Sequence, residues 1–232
     1  MSKAWITRCE ASYRRHRVSR SPPEPVCPMT DKVDFKNSLD AYRAQGGQFR
    51  IIDVPDMQYL MIDGRGDPNT SPAFAEAIGA LYPVAYKLKF ASKRDLGSDY
   101  VVPPLEGLWW AEDMDVFTAA RDKSGWDWTI MLMVPDWIDG AMFATAVEHA
   151  GAKGPPASLE DVRLEELREG RCVQTLHVGS FDAEAEVLAR LHHDFIPQSG
   201  LRMTGKHHEI YLSDIRKADP QKWKTIIRQP MQ

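Results

Sequence analysis

Apolar residues in this chain alternate between helical and strand spacing, and the succession is met twice. A helix is predicted over residues 33–46, ended by Gly46-Gly47, and FRIIDVPDMQYLMIDG then supplies two strand-like stretches separated by Val54-Pro55-Asp56. Gly64 and Gly66 turn the chain. Ser71 followed by Pro72 reads as an N-cap with proline in the first turn, and Phe74, Ile78, Leu81, Ala85 and Leu88 recur at intervals of four and three. That spacing predicts an amphipathic helix of about 18 residues. Two aromatic-rich strands follow, LEGLWWAE and WDWTIMLMV.

A further helix is predicted around residues 139–150, and a breaker run from Gly151 to Pro156 follows it. VRLEEL, the turn Arg168-Glu169-Gly170 and RCVQTLHVG then read as a hairpin. From Gly179-Ser180 a helix carries Phe181, Ala185, Leu188, Leu191 and Phe195 on one face, and its early acids Asp182, Glu184 and Glu186 suit the positive end of its dipole. HHEIYLSD and WKTIIRQP close the chain as two strands. Each half therefore reads strand, helix, strand, strand, an internal duplication with repeats near residues 48–137 and 160–230. The expected fold class is α+β: two pseudo-symmetric repeats forming an antiparallel sheet, with helices on one face. A central ligand cleft is expected on the other face, at the seam between the halves.

The first 28 residues stand apart. They hold Lys3, Arg8, Arg14, Arg15, Arg17 and Arg20 against Glu10 and Glu24, a local +4, so a chain of net charge −4 keeps −8 beyond them. So negative a surface does not attract phosphate backbones, and no direct nucleic-acid partner is expected of the folded part. Residues 1–28 are expected to be a disordered tail or the product of a wrongly assigned start ahead of Met29, with residues 29–232 a single domain. They also hold two of the three cysteines, leaving Cys172 alone in the body. That usage points to a reducing, cytoplasmic setting. No apolar run of eighteen residues occurs, so no membrane span is expected.

In HHEIYLSD, alternation sets His208, Ile210 and Leu212 on one side and His207, Glu209, Tyr211 and Ser213 on the other. The apolar side is assigned to the helix-covered core. Glu209 and Tyr211 are left to solvent or to a cleft. Five of the seven tryptophans fall between residues 109 and 137. Trp126 and Trp128 share a face with Ile130 and Leu132 and are assigned to the core, whereas the neighbours Trp109 and Trp110 must point opposite ways, offering one ring to the cleft. With Trp137 and His207 they form the candidate ligand-binding set. Aromatic walls around one carboxylate suit a flat aromatic or cationic small molecule. The pairs His192-His193 and His207-His208 lack the spacing of a metal motif, so no metal is assigned and capping or surface roles are expected. No cofactor signature, Walker loop or GxSxG elbow is present.

EGLWW, the long block from EGRCVQTLHVGSFDAEAEV to HHEIYLSD, and KTIIRQP together resemble the GyrI-like small-molecule-binding family over nearly all of residues 33–230. The stand-alone subgroup with this signature resembles cyclopropanoid cyclopropyl hydrolases, which open the strained ring of DNA-alkylating compounds of the yatakemycin type. The resemblance implies two strand-helix-strand-strand repeats around a cleft, an aromatic cage, and Glu209 as its functional carboxylate. It implies water addition to a spirocyclopropane, with Glu209 as base and Tyr211 holding the water or stabilising developing charge. The alternatives are binding without turnover and a protein-interaction role such as gyrase inhibition.

Overall fold

The computed structural model describes residues 31–111, 123–214 and 217–232; the expectation for residues 1–28 lies outside them. Eight strands form one antiparallel sheet: β1 (Arg50–Val54), β2 (Met57–Arg65), β3 (Leu105–Trp110), β4 (Asp127–Val134), β5 (Arg163–Leu167), β6 (Gly170–Val178), β7 (His207–Tyr211) and β8 (Lys224–Pro230). Their order is β1-β6-β8-β7-β3-β4-β2-β5. The triplets β6-β8-β7 and β3-β4-β2 mirror one another about the β7–β3 seam, as two repeats related by a two-fold axis require.

β5 and β6 are not hairpin partners. β5 pairs with β2, and β6 pairs with β1, so each repeat's leading strand extends the outer edge of the other. β1 and β2 stand six places apart in the sheet, roughly 29 Å if it were flat at about 4.8 Å per strand. The connection Pro55-Asp56 spans at most about 11 Å between Val54 and Met57. Only a sheet curled on itself satisfies both, and the result is a half-barrel whose two edges meet at this connection and at Arg168-Glu169.

The inner face of the curl is packed by Tyr59, Met61, Met131, Met133, Leu108 and Cys172. The expected helix over 33–46 is instead α1 (Phe35–Ser38) followed by a single 3₁₀ turn at Asp40–Tyr42. An irregular path lets Phe35, Leu39 and Tyr42 reach the inner face from one short segment. The outer face carries the helices. α2 (Pro72–Asp95) is longer than its apolar periodicity predicts and runs through Pro83; Ser71 precedes it without a side-chain cap. Leu81, Val84 and Leu88 are fully buried against β2 and β4, each contributing about 1.5–3 kcal/mol. α3 (Gly140–Gly151) packs beside it, capped by the Asp139 carboxylate, which accepts from the Met142 N–H at 2.8 Å.

In the second repeat the expected single helix is a composite: a 3₁₀ turn at Phe181–Glu184, α4 (Ala185–Ala189), a π-helical turn over Arg190–Phe195, and α5 (Ile196–Gln198). Among the described residues no helix is long and apolar enough to cross a membrane.

Candidate functional site

Strand alternation places the side chains of β7 as its pattern predicts, but the faces are exchanged. Ile210 packs into the curl against Tyr42 and Ile226, and His208 also turns inward. Glu209, Tyr211 and His207 turn to the helix-bearing face, where the seam leaves a gap between α2 and α4. The cleft therefore lies between the helices and not on the opposite face. That opposite face is already filled by the 35–42 segment.

The cavity measures about 1040 Å³. Phe74, Ile78 and Tyr82 wall it from α2, Trp109 and Trp126 from the first repeat's sheet, and Phe181, Glu184 and Leu188 from the second repeat; His207, Glu209 and Tyr211 form its floor. The Phe74 ring centroid lies 5.9 Å from that of Trp109, which meets Trp126 edge-on at 5.8 Å. Tyr211 meets Phe181 edge-on at 5.6 Å.

A hydrogen-bond chain runs along the floor. The Trp109 indole N–H donates to the Tyr211 hydroxyl at 3.1 Å, and that hydroxyl donates to Glu209 Oε2 at 2.9 Å. Burial first, then the charge of Glu209 and its hydrogen bond, hold the Tyr211 pKa well above that of an ordinary phenol. Tyr211 thus stays protonated and its O–H is committed to Glu209. The chain depends on Gly107, directly across from Glu209 in the β3–β7 register. A Cβ there would lie 2.9 Å from the Trp109 indole nitrogen and 3.0 Å from the Tyr211 oxygen.

A second carboxyl group joins the first. Glu184 is 4% exposed, and its pKa is raised well above the carboxylate range by burial, then by the negative charge of Glu209 and a hydrogen bond with it. Glu184 retains its proton and offers it to Glu209. Two carboxyls enclosed together cannot both ionise cheaply, so the pair holds one charge. Helix-dipole reasoning on the sequence makes Glu184 only a favourable charge at a helix start. The signal for more is its place on the apolar stripe, three residues after Phe181 and four before Leu188.

Trp109 is the ring of the adjacent pair that reaches the cavity. Trp110 points inward, with Lys206 Nζ 3.2 Å from its ring centroid. Trp128 is core as expected, while Trp126 lines the cavity. Trp137 lies away from the cavity wall, donating from Nε1 to Ser92 Oγ at 2.9 Å and packing on Phe35 and Tyr100. His208, expected at the surface or as a cap, is fully buried on the inner face, and His207, assigned to the ligand-binding set, is 3% exposed and lines the cavity. Among the described residues no group of three or more His, Cys, Asp or Glu side chains could hold a metal ion.

Behind the floor, on the inner face, lies a buried ionic hub. His208 meets Glu106 Oε2 through Nε2 and Glu169 Oε1 through Nδ1, both at 2.9 Å. Arg228 donates to Glu169 at 2.8 Å and to the Ala41 carbonyl at 2.6 Å, and Tyr42 donates to Glu106 at 2.5 Å. Burial opposes charge on His208, but Glu169 and the hydrogen bonds to both carboxylates outweigh it and raise its pKa. Glu169 is held down at about 2, its burial overcome by His208 and Arg228. The hub ties the 35–42 segment to the strands that carry the site.

A half-barrel of two fused repeats, with an aromatic cavity at its seam and a carboxyl pair on the floor, defines a small-molecule-binding α+β domain. The GyrI-like small molecule binding domain family matches residues 47–231, and the chain belongs to that family. An uncharacterized conserved protein from Listeria innocua is 41% identical over 87% of this chain and 100% of its own, with a TM-score of 0.79. A hydrolase from the same organism is 40% identical over the same shares, with a TM-score of 0.77. The C-terminal domain of EcmrR shares the fold, with a TM-score of 0.52 at 14% identity over 80% of this chain and 97% of its own. No curated protein sequence matches.

Proposed function

We propose that the protein is a hydrolase of the cytoplasm that binds flat aromatic small molecules between the tryptophan walls and opens a strained spirocyclopropane by adding water. The observation that carries this reading is the Glu184–Glu209 pair, a protonated carboxyl beside a second carboxyl at the end of an aromatic cavity. Similarity to a Listeria innocua hydrolase at 40% identity supports it. The formal charges on the lining balance, with Lys36, Lys123 and Lys217 against Asp34, Glu209 and Asp214 once Glu184 is neutral. That balance favours an uncharged ligand over a cation.

In the proposed reaction Trp109 and Trp126 stack on the planar ligand and hold its methylene over Glu209. Water attacks the methylene, a carbon–oxygen bond forms, one ring carbon–carbon bond breaks, and its electron pair passes to the conjugated carbonyl, giving a phenolate. Glu209 takes the proton lost by water. Tyr211, fixed by Trp109, orients Glu209, and Glu184 stabilises its charge by hydrogen bonding. Relief of strain and aromatisation drive the step, so positioning and one base suffice.

The test is chromatographic product analysis of a yatakemycin-type spirocyclopropane with wild type and Glu209→Gln, with tryptophan fluorescence for binding. Ring-opened alcohol over many turnovers, and a loss of about 100-fold or more in the variant at near-unchanged affinity, is the expected result. Binding by wild type without product would replace the hydrolase reading with sequestration of the ligand.

A further inference from the structure

The carboxyl floor is joined on one side by two histidines. His207 Nε2 lies 3.4 Å from Glu209 Oε1, and the His192 ring stands 6.2 Å from the His207 ring, nearly perpendicular to it. His192 is placed there by the π-helical turn over Arg190–Phe195, a departure from α-helical geometry that is common where a side chain is aimed at a functional site. Both ring nitrogens of His207, and Nε2 of His192, are buried without a hydrogen bond to any described residue. An unused buried polar group is costly unless it serves something. Here three such atoms belong to two neighbouring rings, one on the cavity floor and one half-buried beside the exposed His193.

We propose that His207 and His192 form a proton relay that carries the proton taken up by Glu209 from beneath a bound ligand to solvent. The inference rests on the hydrolytic reading above. On that reading a flat ligand stacked on Trp109 and Trp126 would lie over the floor, between Glu209 and bulk water, while it is bound. The proton passes from Glu209 to His207 Nε2. The imidazolium so formed releases its Nδ1 proton toward His192, directly or through one water, and His192 passes a proton to solvent; once the product has left, exchange of both His207 ring protons with water in the open cavity restores the starting Nδ1–H tautomer. The phenolate product takes a proton from solvent, so the net reaction is addition of one water. Burial, with His207 and His193 nearby, pushes the His192 pKa down to about 4, so His192 returns to the neutral, accepting form after each passage. Among the described residues, His193 stands near His192 on the same turn and Glu209 near His207, with Tyr211 and Glu184 hydrogen-bonded to Glu209 in turn.

His192 touches no reacting atom, so its role is positioning and transport, and the test must separate these from packing. Turnover of the spirocyclopropane is measured for wild type, His192→Gln and His192→Phe in weak buffer, across pH, in H₂O and D₂O, with and without free imidazole. The relay predicts a fall of about 10-fold or more in kcat, unchanged KM, a larger solvent isotope effect, and recovery on adding imidazole. Wild-type kcat in His192→Gln, or a loss that imidazole does not restore, overturns the relay while leaving the hydrolase reading intact. Absence of turnover in wild type overturns both.

Discussion

Glu184, from a helical turn of the second repeat, is hydrogen-bonded to Glu209, from strand β7, and one proton serves the two carboxyls. The unfolded chain releases the Glu184 proton above its ordinary pKa of 4.5, whereas the folded chain keeps it. Stability from this group is full below pH 4.5 and is lost as pH rises toward the folded value. Glu184→Gln mimics the protonated form, so its thermal denaturation should depend less on pH and its Tm should exceed that of wild type at about pH 8. Equal Tm–pH curves for the two proteins would contradict the shared proton.

Gly107→Ala should disturb the floor without removing any of its polar groups. The added methyl would lie 2.9 Å from the Trp109 indole nitrogen and 3.0 Å from the Tyr211 oxygen, closer than ordinary contact, so both rings must shift, and repacking costs about 1–3 kcal/mol. Tryptophan emission should shift and ligand affinity should fall by about 10-fold, roughly the loss of one hydrogen bond. Unchanged emission and affinity would show that the Trp109–Tyr211–Glu209 chain tolerates displacement.

Gly64→Ala should be far more severe. Its Cβ would lie 2.1 Å from the Trp128 ring, and Trp128 is fully buried, so neither side has room to give. A loss above about 3 kcal/mol in urea denaturation is expected, whereas Gly79→Ala, with open space around it, should fall within about 0.5 kcal/mol of the ordinary propensity change.

The ionic hub sets stability against pH at both ends. Glu169, depressed to about 2, contributes stability that is present above pH 4.5 and lost as pH falls toward 2. His208, with its pKa raised, contributes stability that is present below pH 6.5 and lost as pH rises through its folded value. Arg228→Met leaves Glu169 with one cationic partner and should cost about 3–5 kcal/mol at neutral pH. The same variant should move the acid limb of the Tm–pH curve to higher pH. A variant as stable as wild type would show that the hub is replaceable.

Periodicity made much of the fold legible. The strand segments, α2, α3 and the duplication follow from apolar spacing alone, because an antiparallel strand with one polar face and a surface helix write their periods plainly. It could not say which side of β7 the helices cover, since both faces are covered and Ile210 satisfies either. The same limit hid the exchange of leading strands: Arg168-Glu169 has the length of a hairpin turn, and only the curl of the whole sheet makes it a crossing. His208 and Arg228 were unreadable as a hub because their partners lie 20–187 residues away. Glu209 and Tyr211 stood out because they share one face of a strand whose neighbours Ile210 and Leu212 are apolar, and a carboxylate so placed must meet either water or a partner.

The exchange of β1 and β5 between the repeats bears on how the chain reaches its fold. Each half offers its leading strand to the other, so neither can complete its own sheet edge when alone. A ribosome-bound chain that has emerged only through β4 carries β1 without its partner β6, and the edge of β2 without β5. Contacts of such long sequence separation slow folding, and exposed strand edges invite pairing with other chains. Chains truncated near residue 150 should therefore be protease-sensitive and prone to associate, with the cooperative unit appearing only once β6 and β8 are present.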